Sequence, residues 1–112
     1  MASIAKQGSI SASTAIYTAP SGQVLRPTTL SLYTEASGGA TVDIHVAQNG
    51  GSASAANKKE QVELEQYETR PAASLFGAVI AQGGKIYVDP NGDTVTYELG
   101  GQQTPQAVDA DG

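Results

Sequence analysis

The segment from Ala40 to Ala47 alternates between branched apolar and polar side chains, and this alternation most constrains the fold. The apolar members are Val42, Ile44 and Val46. The polar members between them are Thr41, Asp43 and His45. Because successive side chains of a strand point to opposite faces, a period of two is typical of a half-buried antiparallel strand. The pattern predicts a sheet with one face in a core and the other towards solvent.

Further short segments of the same kind follow one another, separated by turns rich in glycine and proline. The predicted strands are 15–18, 24–25, 29–33, 61–65, 85–89 and 94–99. The apolar run 75–80 is expected to be a buried strand with a bulge at Gly77. The turn at 90–93 contains Asn91-Gly92, which readily takes the positive φ angles of a type I′ hairpin. The sequence therefore predicts an all-β fold, either a single small antiparallel β-sandwich or a jelly-roll-like barrel.

Both ends of the chain are polar and carry few apolar side chains. We predict a flexible N-terminal arm over residues 1–13, a β-sandwich domain over 14–101 and a flexible acidic tail over 102–112. The arm holds two isolated apolar residues, Ile4 and Ile10. It is either a frayed terminus or an extended segment that binds a partner by strand addition, with both isoleucines filling pockets.

Length, charge and cysteine content exclude several classes of function. With 112 residues the chain has one domain's worth of core, and without cysteine it has neither disulfides nor thiolate chemistry. The net charge is −5 and the six basic residues are scattered, which argues against direct nucleic-acid binding. No apolar stretch approaches the ~18 residues of a membrane span. We expect neither nucleic acid nor membrane as a partner.

Three features could carry chemistry, and each has a simpler structural interpretation. His45 and Asp43 share a strand face, but no serine lies in a nucleophile-elbow sequence. Asp89, Asn91 and Asp93 alternate as in a calcium loop, yet the glycine and the glutamate of that motif are misplaced. The glycine-rich segments lack the lysine of a phosphate loop. We expect no catalytic residue, no metal site, no cofactor and no enzyme activity.

An acidic cluster is a further candidate for partner binding. Its members are Glu60, Glu63, Glu65 and Glu68. The alternation at 61–65 directs Glu63 and Glu65 away from the core. They form either a solvated strand face or a stripe that binds a basic surface.

The order of these segments resembles a known family. The likeness is carried by the following segments: Ile16-Tyr-Thr-Ala-Pro-Ser-Gly-Gln23, the strands 30–33 and 41–46, the stretch Ile80-Ala-Gln-Gly-Gly-Lys-Ile-Tyr-Val88, and a last strand ending at Gly100. In this order they resemble the small β-sandwich structural proteins of tailed-bacteriophage virions, of the capsid decoration or cement type.

This resemblance implies a protein that binds the shell of the major capsid protein, or other virion proteins, and stabilises it. It implies a homo-oligomer, with a trimer favoured, made in the host cytoplasm and located on the capsid surface. It brings no catalytic residues. Two alternatives stay open: an accessory structural protein of the tail, neck or fibre, and a carbohydrate- or ligand-binding β-sandwich module. The absence of tryptophan argues against the second, because sugar sites often stack an aromatic ring on the sugar.

Overall fold

A computed structural model describes residues 2–48 and 51–105. Within these residues eight strands form two antiparallel sheets of four strands each. The strands are β1 (Ala2–Ile10), β2 (Thr14–Thr18), β3 (Gln23–Thr34), β4 (Ala40–Ala47), β5 (Lys58–Leu64), β6 (Thr69–Pro71), β7 (Lys85–Asp89) and β8 (Val95–Pro105). The first sheet has the order β1-β8-β3-β6 and the second has β2-β7-β4-β5. The predicted all-β sandwich is confirmed.

The core lies between the two sheets and contains the side chains that the alternation placed there. Val42 and Ile44 of β4 are fully buried, as are Leu30 and Leu32 of β3 and Leu99 of β8. Val46, Ile86, Val88 and Val95 are buried in the same core. Burying one such side chain stabilises the fold by about 1.5–3 kcal/mol, so these strands account for much of the hydrophobic stabilisation.

A short irregular segment closes the sandwich on the side of β5 and β6. The 3₁₀ helix Ala73–Leu75 contacts β3 in one sheet and β5 in the other, and it buries Leu75 completely. The prediction of a strand over 75–80 is therefore wrong. Gly77 has a φ of +86°, so the chain turns there, and only an isolated bridge joins Ile80 to Leu25. The three-residue strand β6 was not predicted, since it has no alternation to detect.

The segment predicted as a flexible arm is instead the edge strand β1. All nine of its residues pair with β8, from Ala2 opposite Gln103 to Ile10 opposite Val95. The reason is that the edge of β8 offers backbone partners that a free arm would have to find elsewhere. The small residue Gly8 also fits beneath the Tyr97 ring. Residues 102–105 of the predicted tail belong to β8, and 106–112 lie outside the described residues.

The hairpin between β7 and β8 has the predicted type I′ geometry. Asn91 and Gly92 have φ angles of +55° and +96°, and the Asp93 amide donates to the Pro90 carbonyl over 3.3 Å. The Asn91 side chain also donates to the Thr41 carbonyl over 2.7 Å. The turn is thereby attached to β4. Across the described part of the chain, no helix is long and apolar enough to cross a membrane.

Candidate functional site

The free edge of β1 is the least protected of the four sheet edges. Natural edge strands avoid association by being short, or by carrying bulges, proline or lysine. β6 has three residues and ends in Pro71, and β2 has five with a register shift next to Ala15. β5 begins with Lys58 and Lys59 and also has a register shift. β1 has nine residues, an uninterrupted register and no proline, and its one lysine, Lys6, lies over the Tyr17 ring of β2.

Side chains of the edge strands β1 and β2 meet at one side of the sandwich, and we call this region the β1–β2 seam. Ile4 and Ile10 of β1 pack against the core and are partly exposed. The ammonium of Lys6 lies 5.8 Å from the centroid of the Tyr17 ring on β2. The Tyr17 hydroxyl donates to the Gln103 side chain, and burial raises the pKa of Tyr17. One lysine side chain thus covers the aromatic ring at this seam.

The two predicted partner-binding isoleucines pack against the core of their own chain, and their binding to another protein stays a prediction. Both remain partly exposed. Sequence reasoning identified the residues but missed their intramolecular partner. The extension of β8 as far as Pro105 could not be predicted, because residues 101–105 show no alternation of apolar and polar side chains.

The outer face of β1 is small, polar and uncharged. Its residues are Ser3, Ala5, Gln7 and Ser9, all of them exposed. Two of them contact β8 through side chains: the Ser9 and Thr96 hydroxyls are 3.0 Å apart, and Gln102 donates to the Ser3 hydroxyl over 3.1 Å. This face presents no charge that would repel an added strand.

The acidic cluster forms part of an open groove of about 810 Å³ between β4, β5 and the adjoining loops. We call it the acidic groove. Its charged lining residues are Glu63, Glu65, Glu68, Asp93 and Arg70. The structure thus brings the predicted Glu63 and Glu65 together in one groove. Asp93, which lies in the turn between β7 and β8, lines the same groove. Glu60 does not line the groove, since its carboxylate accepts the Ser74 amide over 2.9 Å.

One carboxylate of the acidic groove is strongly hydrogen-bonded. Glu68 accepts the Glu65 amide and the Arg70 guanidinium, each over 2.8 Å. The Glu65 amide and the Arg70 side chain lower the pKa of Glu68, and Glu68 in turn raises the pKa of Arg70. Within residues 2–48 and 51–105, no salt bridge involves Glu63 or Glu65. The groove has a net negative charge, and partner binding by these two residues stays a prediction.

The side chains that could have suggested catalysis are engaged in structural hydrogen bonds. His45 is buried, and its Nδ1 lies 2.8 Å from the Ser54 carbonyl oxygen and 3.0 Å from the Asn57 Oδ1. Because both neighbours are acceptors, Nδ1 carries the proton. His45 therefore anchors the segment that precedes β5.

Asp43 bonds to a different set of residues. It forms a salt bridge with Lys58 at 3.0 Å and accepts hydrogen bonds from Gln61 and Asn91. Burial opposes its charge, but these three donors prevail and lower the pKa of Asp43. In the part of the chain that the structure describes, no three acidic or histidine side chains are placed to hold a metal ion.

The geometry thus offers two surfaces for binding, the free edge of β1 with its seam and the acidic groove. A scan against protein-family models, a search of curated proteins and a search of solved structures each found no match. The sequence resemblance to virion proteins and the geometry of the two surfaces are therefore what a functional proposal can use.

Proposed function

We propose that this chain is a structural subunit of a tailed-bacteriophage virion, of the capsid decoration type, and that the free edge of β1 joins it to neighbouring proteins. The observation that carries this proposal is the length of that unprotected edge. Nine consecutive residues run along it in one register, whereas each of the other three described edges is short or has a register shift. An exposed strand edge is a template for main-chain pairing with another protein.

The partial exposure of two isoleucines on β1 supports the same proposal. Ile4 and Ile10 are partly exposed, and among the described strands β1 has a neighbour on one side only, β8. A strand added there would cover both side chains, and each methylene removed from water contributes about 0.8 kcal/mol. Main-chain hydrogen bonds would supply affinity, and the isoleucines would favour one register.

The location on the capsid surface and the major capsid protein as partner come from the sequence resemblance. A one-domain chain without disulfides suits a subunit that is made in the host cytoplasm and added to a shell. The acidic groove gives this subunit a second surface, through which Glu63 and Glu65 would meet basic residues of the shell. In this role the chain stabilises the shell and performs no catalysis.

Binding to purified shells tests the proposal. The labelled protein is mixed with shells of the major capsid protein of the phage that encodes it, and bound protein is separated by sedimentation. We expect saturable binding and a higher temperature of shell disruption. Electron microscopy of the labelled protein on whole virions would show whether it lies on heads. Exclusive labelling of tails, necks or fibres would contradict the decoration role and support the accessory alternative.

One observation favours a second candidate, the carbohydrate-binding module. Tyr67 is 66% exposed and stands between Gln66 and Glu68, which line the acidic groove. An exposed aromatic ring beside polar side chains could stack on a sugar and leave its hydroxyls to the groove. A glycan array separates the two functions: selective binding that Tyr67→Ala abolishes would favour the module.

A further inference from the structure

We infer that the strand added to the free edge of β1 is the β1 of a second copy, so that the subunit is a two-fold dimer with a continuous eight-stranded sheet. The inference rests on the proposed use of this edge for assembly and names the partner that occupies it. An antiparallel pair of identical strands is related by a two-fold axis, so the same residues serve both copies.

Among the described strands, no other edge matches β1 well. A ring of subunits would need β1 to pair with a different edge of the next copy. The edge at the far side of the same sheet, β6, has three residues and ends in a proline, which has no amide hydrogen to donate. The edges β2 and β5 are interrupted by register shifts. Of the described edges, a second β1 is therefore the one that matches β1 in length and in regularity of pairing.

The side chains of β1 favour one register of this pairing. If the axis passed through Lys6, the two lysines would lie directly opposite each other on the inner face, which is destabilising. If the axis passes through Gln7, Ile4 of each copy lies opposite Ile10 of the other, and Lys6 lies opposite the small Gly8. On the outer face, Ala5 then meets Ser9 and the two Gln7 side chains meet each other. This register pairs residues 4–10.

The Gln7 register also completes the β1–β2 seam. Ile4 and Ile10 are the partly exposed apolar side chains of β1 that pack against the core. Pairing them with each other across the axis continues both hydrophobic cores into the interface. The outer residues of β1 carry no charge, so two copies can approach there although each chain has a net charge of −5. The acidic groove, beside β4 and β5, remains free for another partner.

Single-cysteine variants test the register, since the chain has no cysteine of its own. Gln7→Cys places a thiol at the proposed axis, and Ala5→Cys places one on the same exposed face two residues away. Thr69→Cys on β6 is the control for random collision. Under mild oxidation we expect Gln7→Cys to form disulfide-linked dimers well ahead of the other two. Faster linking through Ala5→Cys would overturn the register, and equal, slow linking of all three would overturn the dimer.

Sedimentation equilibrium tests the dimer without a cross-link. We expect the unmodified chain to sediment as a dimer. The double variant Ala5→Lys with Ser9→Lys sets lysines opposite each other at two places, which should weaken the dimer about tenfold or more. The matched control, Thr28→Lys with Thr69→Lys, adds the same charge to exposed positions of β3 and β6 and should leave the dimer unchanged.

Shell binding separates the failure of this inference from the failure of the proposed function. A monomer in solution that binds shells, and loses that binding in the Ala5→Lys, Ser9→Lys variant, would overturn the second copy as partner. The edge would then accept a strand of the shell protein, and the proposed function would stand. A dimer that cross-links through Gln7→Cys but binds no shell would support the inference and contradict the decoration role. A trimer in solution would overturn the two-fold arrangement.

Discussion

The ammonium of Lys6 lies 5.8 Å from the centroid of the Tyr17 ring, and this contact joins the edge strands of the two sheets. Tyr17 is 4% exposed although it lies at an edge of the sandwich. A cation over an aromatic face is attracted by the ring, and the lysine stem covers apolar surface at the same time. Lys6 therefore has a structural role at the β1–β2 seam.

Substitutions of Lys6 should separate the two parts of this role. Lys6→Ala removes the stem and the charge, and we expect it to lower the free energy of unfolding by about 1 kcal/mol. Lys6→Met keeps an unbranched apolar side chain and should recover part of the loss. Urea denaturation measures both. Equal stability of Lys6→Ala and the parent would show that the contact with Tyr17 contributes nothing.

The two glycines directly before β4, Gly38 and Gly39, allow a test of the turn geometry, because only one of them requires the absence of a side chain. Gly39 has a φ of +78°, and a Cβ there would overlap the carbonyl oxygen of Leu64. At Gly38 a Cβ would meet nothing within 4 Å. Gly39→Ala should cost roughly 1–3 kcal/mol, whereas Gly38→Ala should stay within about 0.5 kcal/mol of the parent. Thermal unfolding compares them, and similar losses in both variants would contradict the geometry of this turn.

The centre of the core can be tested at Ile44, which is fully buried. Ile44→Val should cost roughly 0.5–1.5 kcal/mol and Ile44→Ala roughly 2–5 kcal/mol, because the larger truncation leaves a cavity. Ile4→Ala is the comparison at the edge, where the side chain is only partly buried, and it should cost less than Ile44→Ala. Unchanged unfolding of Ile44→Ala would show that the core assignment is wrong.

The parts of the fold that sequence predicted are those with side-chain alternation. β4 and β7 alternate between core and solvent, and the Asn91-Gly92 turn is dictated by local backbone preference. β1 was not predicted as a strand because its pairing depends on the edge of β8, whose residues lie 85 (Ile10 to Val95) to 101 (Ala2 to Gln103) positions further along the chain. The strand predicted over 75–80 is absent because Leu75 and Ile80 are buried individually, and the residues between them do not form a strand.

The candidate site was predicted only in part for the same reason. Ile4, Ile10, Glu63 and Glu65 were identified from local pattern. Their surroundings depend on tertiary contacts: Lys6 over Tyr17 at the β1–β2 seam, and Asp93 at the acidic groove. A local pattern gives the face of a residue, but the neighbours across the sandwich follow only from the topology.

The salt bridge between Asp43 and Lys58 predicts a pH dependence of stability. Although burial opposes ionisation of Asp43, hydrogen bonds from Gln61, Lys58 and Asn91 lower its pKa in the folded state. The folded protein therefore binds this proton less readily than the unfolded chain. The stabilisation is complete above the ordinary aspartate pKa of about 4 and is lost as the pH falls below it.

Asp43→Asn should accordingly reduce the loss of stability on acidification. The comparison is the change in the free energy of unfolding between neutral pH and the acid range for parent and variant. Glu68 also has a lowered pKa and titrates in the same direction, so some dependence should persist in Asp43→Asn. An identical pH profile for parent and variant would show that the donors around Asp43 do not stabilise its charge in the folded state.

Amide hydrogen exchange along β1 tests the central claim most directly, because it reports whether the free edge takes up a strand. In an antiparallel ladder alternate residues direct their amides to the neighbouring strand. In the isolated monomer, half of the β1 amides should therefore be protected by β8 and the other half should exchange rapidly. In the assembled state we predict that the rapidly exchanging amides of residues 4–10 become protected, while those of β6 keep their rates. Assembly that leaves the exchange of β1 unchanged would contradict the account.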